Sequence, residues 1–133
     1  MEDRLKYKIG QLSRVVKDFQ TSLSIETTDM APEVIDTIKS GQVQKFEVVV
    51  DLLWKTLKFY LYEVNGIVEN SPKKVIKAYF KVEECSFPDY EWMIAMIDMR
   101  NQLSHIYHAE KFEQIHSKLP HCLQVLKNVT VKL

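Results

Sequence analysis

Glycine and proline are scarce in this chain, with three glycines and four prolines among 133 residues. Tight turns and hairpins draw on these residues, so their scarcity argues against many short strands and for long uninterrupted helices. Cysteine is equally thin. Cys85 and Cys122 stand alone, with no C-x-x-C spacing, which points to structural thiols in a reducing compartment rather than a disulfide framework. An excess of either charge is missing too, because 18 basic and 18 acidic residues cancel. No whole-molecule field then draws the protein to nucleic acid or to an anionic membrane, and any RNA contact has to be local. There is no uncharged apolar run of about 18 residues that would suggest a membrane span. The opening Met1-Glu2-Asp3-Arg4-Leu5-Lys6 is charged where a signal peptide would be apolar. The expectation is a cytoplasmic protein with no membrane contact.

Apolar residues make up 46% of the chain and charged residues 27%, the balance of a packed globule. The length suits one domain, 1–133, with no internal repeat or low-complexity tract. From Glu2 to about Ile25, Leu5, Ile9, Leu12, Val15/Val16, Phe19 and Leu23 recur every three or four residues, the stripe of an amphipathic helix. A short helix is expected from Pro32 to Ser40, with Gly41 as its C-terminal stop. Val48-Val49-Val50 alone would suit a strand, yet Phe46, Val50, Leu53, Leu57 and Leu61 hold a helical period through Gln42–Asn65 until Gly66. Ser71-Pro72 opens a helix to about Glu84, Ser86-Phe87-Pro88-Asp89 interrupts, and Tyr90 to Tyr107 is helical again. Ala109 to Asn128 closes the chain, with a kink expected at Pro120. The predicted fold is all-α, an up-and-down antiparallel bundle of four to five helices.

In the Tyr90–Tyr107 segment, Trp92, Ala95, Met96, Met99, Leu103 and Ile106 form one stripe facing the core. Met93, Ile97, Arg100, Ser104 and Tyr107 form a second patch beside it. A helix apolar on two sides is buried on two sides, against another segment of the chain or a second subunit; a symmetric homodimer is the favoured expectation. Arg100 and His105 lie about 140° apart on an ideal helix, so joint action on one ligand needs either a loosened helix near His105 or two subunits. From the residues alone, an ion pair for Arg100 and a helix C-terminal role for His105 are the simpler reading.

The run Arg100-Asn101-Gln102-Leu103-Ser104-His105-Ile106-Tyr107 resembles the R-N-x-x-x-H-x-Y signature of the HEPN (higher-eukaryote and prokaryote nucleotide-binding) superfamily. Lys45-Phe46-Glu47, the run Leu53 to Leu61 and Ser71-Pro72-Lys73-Lys74-Val75-Ile76 resemble, in order and spacing, the nucleotidyltransferase substrate-binding-like family. The resemblance spans roughly residues 4 to 127. It implies a dimeric helical partner of a separately encoded minimal nucleotidyltransferase, often in a toxin–antitoxin-like pair, that binds nucleotide or RNA. It also implies a rival activity, metal-independent ribonuclease cleavage. There the ribose 2′-hydroxyl attacks the adjacent phosphate, His105 exchanges a proton, Arg100 holds the charged phosphorane and Asn101 orients the site. In related toxins the transferase adds AMP to the tyrosine matching Tyr107, blocking the cleft with bulk and negative charge. The family often carries an acidic residue after that tyrosine, where this chain has His108.

No cofactor is expected. His105 and His108 form H-x-x-H, and His116 and His121 follow, but no cysteine or carboxylate falls at metal-ligand spacing, so no metal site is assigned. Trp54 and the methionines Met93, Met96 and Met99 read as packing. Lys55 and Lys58 flank Trp54, and Lys73, Lys74 and Lys77 make a basic edge. These are ordinarily solvated faces, and they are the candidates for phosphate contacts if nucleotide or RNA binds. Glu47 calls for a cationic partner, with Arg14 one choice.

Overall fold

The computed structural model describes residues 2–83, 85–105 and 108–133. The first apolar stripe becomes α1 (Glu2–Leu23), which buries Leu12, Val16 and Phe19. Pro32 then opens α2 (Pro32–Tyr60) from its first turn, where a missing N–H costs no hydrogen bond. The Phe19 and Phe46 rings meet at 6.1 Å and Lys8 reaches the Phe59 ring, so α1 and α2 run antiparallel. The valine run is helical, with Val49 and Val50 buried and Val48 exposed. Burial of a helical face outweighs β-branched preference there.

Gly41 does not stop the helix, contrary to expectation. The chain continues as one 29-residue helix, and Gly66 is the described glycine with positive φ. A glycine stop works through the left-handed conformation, and Gly41 does not adopt it. Continuing the helix keeps Gln42, Val43 and Phe46 on the buried face.

After Tyr60 the hydrogen bonding widens into a π-helical turn, Leu61–Asn65. Gly66, at φ 66° and ψ 22°, closes it. The Gly66 N–H donates to Tyr62 O and the Ile67 N–H to Leu61 O, each at 3.1 Å. Helix α3 (Pro72–Val82) follows Ser71, whose extended backbone fits an N-cap although its hydroxyl makes no capping bond.

Helix α4 (Phe87–Leu103) starts earlier than expected because the Ser86 side chain caps it, accepting the Asp89 N–H at 3.2 Å. Pro88 sits in the first turn, where it is tolerated rather than disruptive. The helix also ends earlier, at Leu103, with Ser104 and His105 in a turn. Ile106 and Tyr107 lie outside the described residues. Helix α5 (Ala109–Thr130) carries Pro120 in its interior.

Phe80 stacks on Tyr90 at 4.5 Å and Lys73 pairs with Asp98 at 2.6 Å, which sets α3 antiparallel to α4. Trp92 lies 4.2 Å from His121, and Asn128 Nδ2 donates to the Asp89 carboxylate, which sets α4 antiparallel to α5. The core joins Leu53, Leu57 and Leu61 of the second segment to Ile76, Met93, Met96, Leu119 and Leu126, all with no exposed surface.

On α4 the buried positions are Met93, Met96, Ile97 and Met99, whereas Trp92, Ala95 and Leu103 are half-buried. The inward sector is thus rotated from the expected stripe and takes in part of the second patch. Met93 and Ile97 are covered by the same chain, so that patch does not itself call for a second subunit. Among the described residues, no helix is long and apolar enough to cross a membrane.

Candidate functional site

Arg100 lies near the middle of the inward sector of α4, about 20° from Met93 and 40° from Met96 on an ideal wheel. A guanidinium turned inward needs compensating acceptors, and α2 supplies two carboxylates one helical turn apart. Arg100 Nε and Nη2 donate to the Asp51 carboxylate at 3.3 Å each, while Nη1 lies 3.1 Å from Glu47 Oε2. Nη1 also donates to Ser104 Oγ at 3.3 Å. The expected cationic partner of Glu47 is therefore Arg100, and Asp51 is a member the sequence reading missed. Its i, i+4 spacing from Glu47 was the available signal. The side chains of Arg100, Glu47 and Asp51 retain 28%, 30% and 44% exposure, so the cluster sits at the edge of the core, in contact with water.

Asn101 points elsewhere. It lines a shallow cleft of about 350 Å³ with Ser71, Pro72, Lys73 and Ile97. His105 is exposed beyond the helix end, its backbone N–H bonded to Gln102 O at 2.9 Å. Early termination of α4 frees His105 from the opposed placement an ideal helix imposes. Among the described residues, no hydrogen bond or ion pair joins Arg100 to His105. Tyr107 lies outside the described residues. Lys73 is paired with Asp98, and Lys74 and Lys77 are exposed along α3.

A second concentration of function-bearing groups lies where α1, the end of α2 and the 66–70 connection meet. A groove of about 470 Å³ has Lys8, Lys55 and Lys58 with Trp54, Phe59 and Tyr62 along it, and Ile67, Val68 and Glu69 as the remaining wall. Positions 54, 55, 58 and 59 share one side of α2 by helical spacing, and the π-turn brings Tyr62 beside them. Trp54 is half-buried against the core and borders this groove. Arg4 and Lys8 lie over the Phe59 ring at 5.5 and 5.1 Å from its centroid, a cation–π arrangement that holds two cations at the groove's edge. Sequence reasoning had Lys55 and Lys58, read Trp54 as packing, and missed Lys8, Phe59 and Tyr62. Lys8 belongs to another helix, and the wall depends on the chain turning back after Gly66.

His116 and His121 are engaged away from both places. Gln42 Nε2 donates to Ser22 O at 2.7 Å, so Gln42 Oε1 is left to accept from His116 Nε2, also 2.7 Å away. Burial pushes the His116 pKa down, and Lys39 pushes the same way against Glu113. At the base of α2, the Tyr60 hydroxyl donates to Glu83 at 2.7 Å. Burial, aided by Glu83, raises its pKa to about 12. Among the described residues, no group of three or more His, Cys, Asp or Glu side chains is placed to hold a metal ion.

The model of the family described as "Nucleotidyltransferase substrate binding protein like" matches residues 7–133. The chain belongs to this family. As a nucleotidyltransferase substrate-binding-like protein it is the helical partner type associated with a nucleotidyltransferase, and its helical bundle carries the match almost end to end. A crystal structure of a protein from Thermus thermophilus is similar, with a TM-score of 0.80 at 23% identity over 91% of this chain and 97% of that one. That likeness concerns the fold. No curated protein matches the chain significantly.

Proposed function

We propose that this substrate-binding-like protein is the helical partner subunit of a minimal nucleotidyltransferase in a cytoplasmic toxin–antitoxin-like pair, acting as a homodimer that docks the transferase and binds nucleotide or RNA. The family match across residues 7–133 carries this reading. The lysines fit it: Lys55 and Lys58 face an aromatic groove, and Lys73, Lys74 and Lys77 lie along α3, where phosphate charge can be met. In such a division of labour the transferase supplies the chemistry, and this subunit supplies binding energy and orientation.

A second reading, a metal-independent ribonuclease, draws on one observation. Helix α4 ends at Leu103, so His105 is not fixed on the far side of a helix from Arg100. The reaction then has the 2′-hydroxyl attack phosphorus and the 5′-oxygen leave, with His105 moving the proton and Arg100 holding the phosphorane oxygens while Asn101 orients the strand. The guanidinium is however occupied by Glu47 and Asp51. It would have to exchange at least one carboxylate for phosphate, which places this reading second. AMP transfer to Tyr107, two residues after His105 in the sequence, would add bulk and negative charge that oppose RNA binding.

Co-expression with a minimal nucleotidyltransferase of the same organism, followed by size-exclusion chromatography, tests the first reading: co-elution supports it, and separate elution overturns it. RNA cleavage in EDTA, lost in both Arg100→Ala and His105→Ala, would establish the second. Full cleavage by either variant rejects it. A mass shift on Tyr107 after co-expression tests the modification.

A further inference from the structure

We infer that the groove between α1, the end of α2 and residues 67–69 is a site for a single nucleotide, a planar base carrying one phosphate group, and not a track for RNA. The inference rests on the reading of this chain as a nucleotide-binding partner and names the place and the ligand.

Three observations carry it. First, the groove joins two chemistries that such a ligand needs: Lys8, Lys55 and Lys58 for the anion, and the Trp54 and Tyr62 rings for a flat base. Tyr62 is 55% exposed, so its ring has free surface for a base. Second, the cations are available. Among the described residues, neither Lys55 nor Lys58 is in an ion pair, while Lys8 is steadied over Phe59 at 5.1 Å. Lysines without carboxylate partners, converging on one apolar groove in a chain with no net charge, form a local field that an anion would neutralise. Third, the groove is small and closed on one side. Its volume of about 470 Å³ falls in the range of small-molecule sites, about 300–1,000 Å³. Glu69 stands in its wall beside Val68, where its carboxylate would repel a second phosphate and accept hydrogen bonds from the ligand's amino or hydroxyl groups.

The local backbone explains why the site lies here. The π-turn Leu61–Asn65 and the left-handed Gly66 turn the chain back so that Ile67 and Val68 face the same groove as Lys55 and Lys58. An α-helix running on past Tyr60 would leave that face of α2 open. π-turns within helices are frequent at functional sites; this one builds a wall.

AMP serves as the probe, with the full-length chain. The protein has two tryptophans, so Trp92→Phe leaves Trp54 as the sole tryptophan reporter. Saturable AMP binding by calorimetry on the unsubstituted chain, matched by a saturable change in Trp54 fluorescence, is the expected result. Lys55→Gln with Lys58→Gln should weaken AMP by about tenfold or more, consistent with loss of two charge-assisted contacts. Tyr62→Ala should weaken AMP by at least about fivefold, a stacking loss, while leaving competition by inorganic phosphate unchanged. Absence of saturable AMP binding overturns the inference, as does calorimetric binding without the Trp54 signal, or affinity unchanged in the lysine variant. Affinity rising steadily with oligonucleotide length overturns it in favour of an RNA path. Retention of the transferase by the lysine variant, alongside failed AMP binding in the unsubstituted chain, would reject this site alone and leave the partner reading standing.

Discussion

Asp51→Asn on α2 is the most informative single change around Arg100, because it removes charge from the carboxylates that hold the guanidinium while conserving side-chain shape. In the folded protein Asp51 takes two guanidinium hydrogen bonds at 3.3 Å and Glu47 a third contact at 3.1 Å. A sealed pair that lost one partner would cost about 3–5 kcal/mol. Here the Arg100 and Asp51 side chains keep 28% and 44% exposure, so water screens the interaction and the expected coupling is about 0.5–1 kcal/mol. Glu47 remains to hold the guanidinium. The substitution should therefore lower stability by less than about 1 kcal/mol, or roughly 2–5 °C in Tm for a chain of this size. Arg100→Ala should cost more, about 1–2 kcal/mol, because it strips the aliphatic stem from the α2–α4 contact and leaves two carboxylates facing each other. A double-mutant cycle by urea denaturation reads the coupling directly. A coupling above about 3 kcal/mol would mean the clamp is a sealed structural pair. A coupling of zero would mean that Asp51 does not hold Arg100 at all. Either result refutes the description of a screened, exchangeable clamp.

Two glycines should respond in opposite directions to alanine, since an added Cβ meets nothing within 4 Å at either position. Gly66→Ala, at φ +66°, should destabilise by about 1–2 kcal/mol, whereas Gly41→Ala inside α2 should stabilise by about 0.5–1 kcal/mol; thermal denaturation of both variants checks the contrast. His116 has its pKa lowered below 6.5 in the folded chain, so the unfolded chain binds that proton more tightly. Its contribution to stability is fully present above about pH 6.5 and is lost as pH falls below that value; urea titrations against pH should show a shallower acid-side slope for His116→Gln. The Cys122 thiol is fully buried, and burial raises its pKa to about 12, while Cys85 is half-buried. A thiol reagent should label Cys85 first in the native protein and reach Cys122 only on unfolding, and equal labelling rates would contradict this packing.

The helices were legible because hydrophobic period depends on local spacing alone: the Leu12–Val16–Phe19 stripe and the Leu53–Leu57–Leu61 stripe are buried as spaced. Their ends were less so. Gly41 carries the residue type of a stop, but termination depends on a left-handed backbone that composition does not specify, and Gly66 adopts it instead. Ser86 looked like part of an interruption, yet its hydroxyl starts α4. The arginine clamp was half-readable. Glu47 was flagged as needing a cation, while the choice of Arg100 over Arg14 is set by how α2 and α4 cross, a tertiary quantity. The groove had the same limit, because Lys55, Lys58 and Trp54 share one helix, but Lys8 joins them only through α1 packing and Tyr62 only through the π-turn.

Sedimentation velocity of this chain mixed with a minimal nucleotidyltransferase of the same organism measures most directly whether it works as a partner subunit. The account expects one faster boundary containing both proteins in fixed ratio, retained at physiological salt. Two boundaries at the positions of the separate components would contradict it.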